Sequence, residues 1–516
     1  MKLKKISLIS VLVFLVSIIL PSSPIFAEEH PMGGTMTYAV TTDLKALNRH
    51  LEGYKDGHII LQPLFDRLYY VDTDETRYYL AESYDISEDG LEITVKLRDN
   101  MKWHDGEPIN ADDLIYTLKV VQDPKSGTTT EYLGLGEVNG KPVSVEKIDD
   151  LTVKVTLPEY NSAYANQLGF LTLLPEHIYG PETNIKDNVE ANNSGIGSGE
   201  YKLKEWKKGE SVVYERNEDY YLGKAPLDTL VFKIMPEKNT QEVALANGDL
   251  SVVEITTDQQ IDKYAADDSK TIYSFPEGRV NYLGISKYST KFADNNDARK
   301  AIVYALNKEE IVRGAYGSEQ VAQVGDSTFG PKTMYRNEEF EDYPFDLEKA
   351  KELAEKSGLA GQKISLIYNN DRANQKESAV IIQQQLAQIG ITCDVQGIDA
   401  SGFFEKAFSD SPDVDLYLNG YPAAGDPGML GFMFNIKNIN KSEKQEELWK
   451  QALDEKDESK RKEVYKELQD VIKEDTTMIP IAYPNYVMVA DKGFKGLDVS
   501  KTIPVFEDYM QLYYEK

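Results

Sequence analysis

The sequence predicts an α/β protein with mixed β-sheets and flanking helices, divided into more than one domain. Three observations predict it. Several segments alternate apolar and polar residues with a period of two, the pattern of a half-buried strand. The second half contains a strand-helix-strand unit, which implies parallel pairing. The length of 516 residues exceeds the roughly 250 to 300 at which single cores stop growing. Two or three domains are therefore expected.

The apolar N-terminus comes first. Lys2, Lys4 and Lys5 precede an uncharged run from Ile6 to Leu20, which Pro21 breaks, and Ala27 is followed by Glu28 and Glu29. A basic start, a short apolar middle and a small residue before a polar stretch make a signal peptide over 1–27, cleaved after Ala27. The run is shorter than the roughly 20 apolar residues of an uncleaved membrane anchor. Removing 1–27 takes away three lysines and no acid, moving the formal charge from −29 to −32. So acidic a surface repels phosphate backbones and anionic lipid headgroups, which argues against nucleic acid as a partner.

Leu91 to Leu97 alternates as a strand. Asn110 then offers an N-cap with Asp113 three residues on, and Leu114, Ile115, Leu118 and Val121 follow at helical spacing. Asp112 and Asp113 might suggest an acid/base pair, but carboxylates in a first helical turn satisfy free amides and the positive dipole end. Alternation recurs in Leu151–Leu157, Val212–Tyr214 and Leu230–Ile234. Further on, helices are predicted over Asp297–Leu306 and over Asp346–Ser357, the latter stopped by Gly358. Ile364–Ile367 reads as a strand, Ala379, Ile382, Leu386 and Ile389 as a helix face ended near Gly390, and Ile391–Val395 as the next strand. Lys437–Glu443 reads as a loop. A single long helix is predicted from Glu443 to Asp475, with Val464, Leu468, Val471 and Ile472 on one face.

The catalytic motifs of a secreted hydrolase are missing. There is no Gly-x-Ser-x-Gly and no His-Glu-x-x-His, and His30, His50, His58, His104 and His177 show no helical metal-ligand spacing. Cys393 is the sole cysteine. It permits no intrachain disulfide, its apolar surroundings point to a buried thiol, and no cysteine lies near the cleavage site to accept a lipid. No cofactor is implied.

Several blocks, in order, resemble the family 5 extracellular solute-binding proteins, the oligopeptide- and dipeptide-binding receptors of ABC importers. They are Leu80–Tyr84 through Leu91–Asp99 to Trp103–Pro108 and Ala111–Asp113; Gly197–Leu203 with Arg216–Tyr221; Ala298–Ala301 with Ala305–Lys308; Asp346–Leu359; and Gln385–Ile391. The resemblance implies a two-lobed clam-shell of the periplasmic-binding-protein type, with lobe 1 split into two subdomains. By that analogy 28–52, 193–275 and 488–516 form lobe 1 subdomain a, 53–192 subdomain b, and 276–487 lobe 2. It also implies an exported, non-catalytic protein, expected to be a monomer, that captures a peptide between the lobes. Delivery would be to a membrane-embedded ABC permease with its cytoplasmic ATPase.

The family resemblance also points to the ligand site. The peptide receptors carry a loop Gly-Trp-x-x-Asp-x-x-Asp-Pro whose first aspartate pairs with the ligand's amino terminus. The matching stretch here, Gly420, Tyr421, Pro422, Ala423, Ala424, Gly425, Asp426 and Pro427, is one residue shorter and places Ala424 where that carboxylate belongs. Recognition of a free amino terminus then depends on Asp426 moving inward. Dipeptide-type members hold the ligand carboxylate with an arginine after the strand matching Ile364–Ile367; Asn369 is the ungapped match, and Arg372 follows three residues later. Val40, Thr41 and Thr42 fall in the segment that lines the cleft from lobe 1. Trp103 is either an aromatic wall of that cleft or ordinary core. The alternatives to a peptide receptor are a relative that takes a nickel chelate, an oligosaccharide or a signalling peptide, and, more remotely, a secreted hydrolase.

Overall fold

The computed structural model describes residues 30–516 except 72–74, 130, 131, 133, 371, 410–412, 431–438, 477 and 499–508. The predicted signal peptide and part of the predicted 437–443 loop lie outside the described residues.

One mixed sheet runs through the molecule. Its strands lie in the order Tyr201–Lys207, Ser211–Arg216, Thr229–Ile234, Thr35–Val40, Val252–Ile255, Met478–Asp491, Arg279–Ile285, Leu416–Pro422, Lys363–Asn369 and Thr392–Ile398. Thr35–Val40 pairs in parallel with Thr229–Ile234, and Lys363–Asn369 pairs in parallel with both Thr392–Ile398 and Leu416–Pro422. The predicted strand-helix-strand unit is thus present. Its helix, Ala373–Ala387, buries Ala379, Ile382 and Leu386, and Gly390 closes the turn at φ 77°.

The 14-residue strand Met478–Asp491 joins two lobes. Residues 478–484 pair with Arg279–Ile285 and with Ala322–Val324, whereas 485–491 pair with Val252–Ile255 and Lys270–Pro276. The partners change at Pro484 and Asn485. The chain crosses a second time between the strands ending at Pro276 and starting at Arg279. Two crossings side by side, with few covalent links between the lobes, form the geometry of a hinge.

Lobe 1 carries a second unit, a four-stranded antiparallel sheet of Ala81–Ile86, Glu92–Leu97, Thr152–Thr156 and Ser144–Lys147. The helix Ala111–Gln122 packs on it. Its start is the expected one: Asn110 accepts from Asp112 N, and Asp113 reaches back to Asn110 N in a capping box. His104 ties this unit to the main sheet. Its Nε2 donates to Gly199 O at 2.9 Å and its Nδ1 accepts from Gly197 N at 3.2 Å. Burial holds this imidazole neutral, with its pKa pushed down to about 4. A Cβ on Gly197 would lie 1.9 Å from Leu64 O, so only glycine allows this approach.

In lobe 2 the predicted long helix is two. Glu443–Asp454 ends with Glu455 extended, and Asp457 caps Glu458–Asp475 by accepting from Lys460 N. Residues 454–463 are all polar or charged and contain neither Gly nor Pro, so nothing in the sequence punctuates the break. Val464, Leu468 and Ile472 are buried as expected, and burial pushes the Cys393 thiol up to about 12, where it is inert.

Candidate functional site

The parallel strands of lobe 2 end together, and ligands of α/β sheets bind beyond such carboxyl ends. Asn369, Gly420 and the start of the antiparallel Arg279–Ile285 meet at this edge. Arg279 Nη2 donates to Gly420 O at 2.5 Å and its Nε to Asn281 Oδ1 at 3.3 Å. Gly420 makes room for it, since a Cβ there would be 2.8 Å from Arg279 Nε. Asn369 N donates to Gln375 Oε1, and Arg372 N donates to Asn369 O, a turn that brings Arg372 to the start of Ala373–Ala387. Burial pushes the Arg279 guanidinium down to about 10, and the positive charge of Arg372 adds to the effect. Among the described residues neither arginine has a carboxylate within salt-bridge distance. Keeping the half-buried Arg279 charged beside a second guanidinium is costly, and an anionic group supplied from outside would relieve that cost.

The carboxylates on the facing edge of lobe 1 have partners within the protein. Val40 is buried at the end of its strand, and Thr41 N, Thr41 Oγ1 and Thr42 N all donate to Asp56 Oδ2 at 2.6 to 2.9 Å. Beside them Lys55 Nζ lies 2.9 Å from Glu254, 3.6 Å from Glu277 and over the Tyr486 ring. Lys238 holds the other oxygen of Glu254 at 3.2 Å. Burial alone would raise the Glu254 pKa, but Lys55 and Lys238 outweigh it and carry it down to about 2. For Lys55, burial is likewise outweighed by Glu254 and Glu277, and its pKa rises. Glu277, on the crossing segment, acts on both Lys55 and Arg279 and marks where the two edges meet.

At the opposite rim the lobes touch. Ser162 N donates to Leu453 O at 2.9 Å, Ser162 Oγ to Ala452 O at 3.2 Å, and Asn166 Nδ2 to Asp426 Oδ2 at 3.0 Å. Lys456 reaches Asp89 O and lies over the Tyr160 ring. Asp426 is 1% exposed. Arg461 Nη2 lies 2.7 Å from each of its oxygens, and Gly428 N donates to Oδ1 at 2.8 Å. A carboxylate has about four lone-pair positions. Those of Asp426 are filled by Arg461 twice, Gly428 and Asn166.

The predicted site residues thus fall into separate groups. Asn369, Arg372 and Gly420 gather at the lobe 2 edge, and Thr41 and Thr42 lie on the lobe 1 edge. Tyr421 is buried with its hydroxyl donating to Thr328 O at 2.5 Å, and Ala423 is buried with its carbonyl accepting from Thr333 Oγ1. Pro422 is exposed, and Ala424 pairs with Lys332 in a two-residue bridge. Trp103 is 1% exposed in the core of the four-stranded unit, with its Nε1 donating to Asp113 Oδ2 at 3.4 Å. It takes the core side of the two expectations. Sequence reasoning missed Arg279, Lys55, Glu254, Glu277, Asn166 and Arg461. Each is a lone charged or polar residue in the sequence, and only the fold brings its partner to it. Among the described residues no group of three or more His, Cys, Asp or Glu is placed to hold a metal ion.

Two lobes on a double crossing, with polar edges that meet at Glu277 and rims in contact, have the architecture of a hinged solute-binding protein. The model of the bacterial extracellular solute-binding proteins, family 5 Middle, matches residues 75–441, and the chain belongs to that family. It is similar to the oligopeptide-binding protein AppA of Bacillus subtilis, at 27% identity over 82% of this chain and 82% of that protein. The dipeptide-binding protein of Escherichia coli matches at 27% identity over 84% of this chain and 86% of the relative. Among solved structures, the ABC transporter substrate-binding protein CtaP of Listeria monocytogenes superposes with a TM-score of 0.85 at 32% identity, over 94% of this chain and 99% of that one. A putative peptide-binding protein AppA of Clostridium difficile gives 0.83 at 33%, over 93% and 100%.

Proposed function

We propose that this chain is an exported receptor that encloses a peptide between its lobes and delivers it, uncleaved, to an ABC permease driven by a cytoplasmic ATPase. The observation that carries the reading is the pair Arg279 and Arg372, two guanidiniums at the cleft edge without a carboxylate partner among the described residues. A peptide's terminal carboxylate is the complementary group, and planar bidentate pairing is what arginine does best. The relatives named for oligopeptide and dipeptide binding support a peptide as the source of that carboxylate. The charged side chains of the lobe 1 edge already have partners, so it would meet the ligand through Thr41, Thr42 and main-chain groups, a sequence-tolerant mode. Asp426 has no lone pair left for the ligand's ammonium. The mature chain would start at Glu28, outside the cytoplasm.

The test is calorimetric binding of one peptide with a free and with an amidated carboxyl end. Removing one partner of a buried charged pair costs about 2 to 5 kcal/mol, a weakening of about 30-fold or more. Equal affinities for the two forms would remove the arginine pair from the site.

A further inference from the structure

The rim contacts carry an inference about closure that does not depend on what the ligand is. Asp426 belongs to lobe 2, and its pair with Arg461 is internal to that lobe: the arginine comes from the helix Glu458–Asp475, with a side chain 8% exposed against 0% for the aspartate. The arginine lies against the stacked rings of Tyr335 and Tyr465, whose centroids are 5.1 and 5.4 Å from the guanidinium carbon and 5.4 Å from each other. One edge of this rigid assembly, Asp426 Oδ2, faces lobe 1 and meets Asn166 on the short helix Tyr164–Gly169. Asn166 supplies an uncharged donor, so the contact adds no net charge to the pair. It also makes a charge-assisted bond, stronger than one between neutral groups. The flanking contacts fit the same face: Ser162 bonds the end of the helix Glu443–Asp454, and a Cβ on Gly428 would lie 2.4 Å from the Ala163 Cβ, so the glycine lets the two backbones close.

We propose that Asn166 and the Asp426–Arg461 pair form a latch that holds the lobes closed in the absence of ligand, with Ser162 and Lys456 as its secondary contacts. In this assignment the Asp-Pro loop serves closure instead of gripping an amino terminus. Binding then starts from a mixture of closed and open forms, and only the open fraction admits ligand. The latch also slows the exit of a ligand once it is enclosed.

The test uses protein freed of cargo by unfolding and refolding, spin-labelled through Lys125→Cys on lobe 1 and Glu447→Cys on lobe 2, both exposed, with Cys393→Ala to remove the native thiol. Distance distributions are read by double electron–electron resonance. The unaltered rim should show a populated short distance in the ligand-free protein. Asn166→Leu should lower the ratio of closed to open forms by about tenfold or more, as expected for a hydrogen bond to a charged group. Lys456→Ala, an exposed position, should shift it in the same direction by less. A ligand-free protein found only in the open form, or unchanged distributions in both variants, would overturn the latch. Neither result bears on whether peptides are bound.

Discussion

Arg279 offers a sharp separation of stability from function. Its guanidinium is pushed from the ordinary arginine range down to about 10 by burial and by Arg372. Each tenfold change in proton affinity is about 1.4 kcal/mol, so keeping this group charged in the empty cleft costs on the order of 3 kcal/mol. Arg279→Met removes that cost. It also removes the bonds to Gly420 O and Asn281 Oδ1, worth about 0.5 to 1.5 kcal/mol each. The difference leaves the ligand-free protein as stable as before or more so, by up to about 2 kcal/mol. Peptide affinity should move the other way, falling by about 2 to 5 kcal/mol. Urea unfolding of cargo-free protein and calorimetry with one peptide read the two halves separately. A variant that loses more than about 1 kcal/mol of stability while binding peptide normally would show Arg279 to be a structural arginine, and the argument from its missing partner would fail.

Two further predictions follow from groups whose partners are all visible. Acetylating the amino end of a bound peptide should change its affinity by less than about tenfold, because the lone pairs of Asp426 are occupied; calorimetry showing a hundredfold loss would mean that another carboxylate holds the ammonium. His104 should make stability fall as the solution is acidified. Its pKa drops from 6.5 to about 4 on folding, so the unfolded chain takes up the proton first, and stability present above pH 6.5 is lost as the pH falls toward 4. The loss reaches at most about 3 kcal/mol. The difference in unfolding free energy between the native protein and His104→Gln, followed over that range, should carry this slope, and a flat difference would refute it.

The sequence revealed most where a segment has one wet face. Leu91–Leu97 and Leu151–Leu157 alternate because one side of their sheet is packed, and they lie within or around the observed strands Glu92–Leu97 and Thr152–Thr156. Asn110 and Asp113 were legible because capping chemistry is local. The strand that joins the lobes was not legible. Met478–Asp491 is buried along nearly its whole length and contains Pro480 and Pro484, so it shows neither alternation nor an uninterrupted strand composition. Its two sets of partners come from segments about 200 residues away. The break at 455–457 was hidden because the ten residues 454–463 are all polar or charged, with no Gly or Pro to mark a stop, and read as a solvated helix surface. At the candidate site, the resemblance pointed to Asn369, Arg372 and the Gly420–Asp426 loop, and Ala424, standing where relatives carry an aspartate, pointed away from an amine pocket. What Asp426 does instead depends on Arg461 and Asn166, 35 residues after it and 260 before it. Side chains so distant in sequence carry no mutual signal in a single chain.

Whether the cleft takes peptides is decided by mass spectrometry of whatever is released when the natively purified protein is denatured. The prediction is a set of short peptides of varied sequence, all with free carboxyl ends, bound in about one-to-one ratio because the cleft is a single site between two lobes. Release of a metal chelate or an oligosaccharide in that ratio, with no peptide, would contradict it.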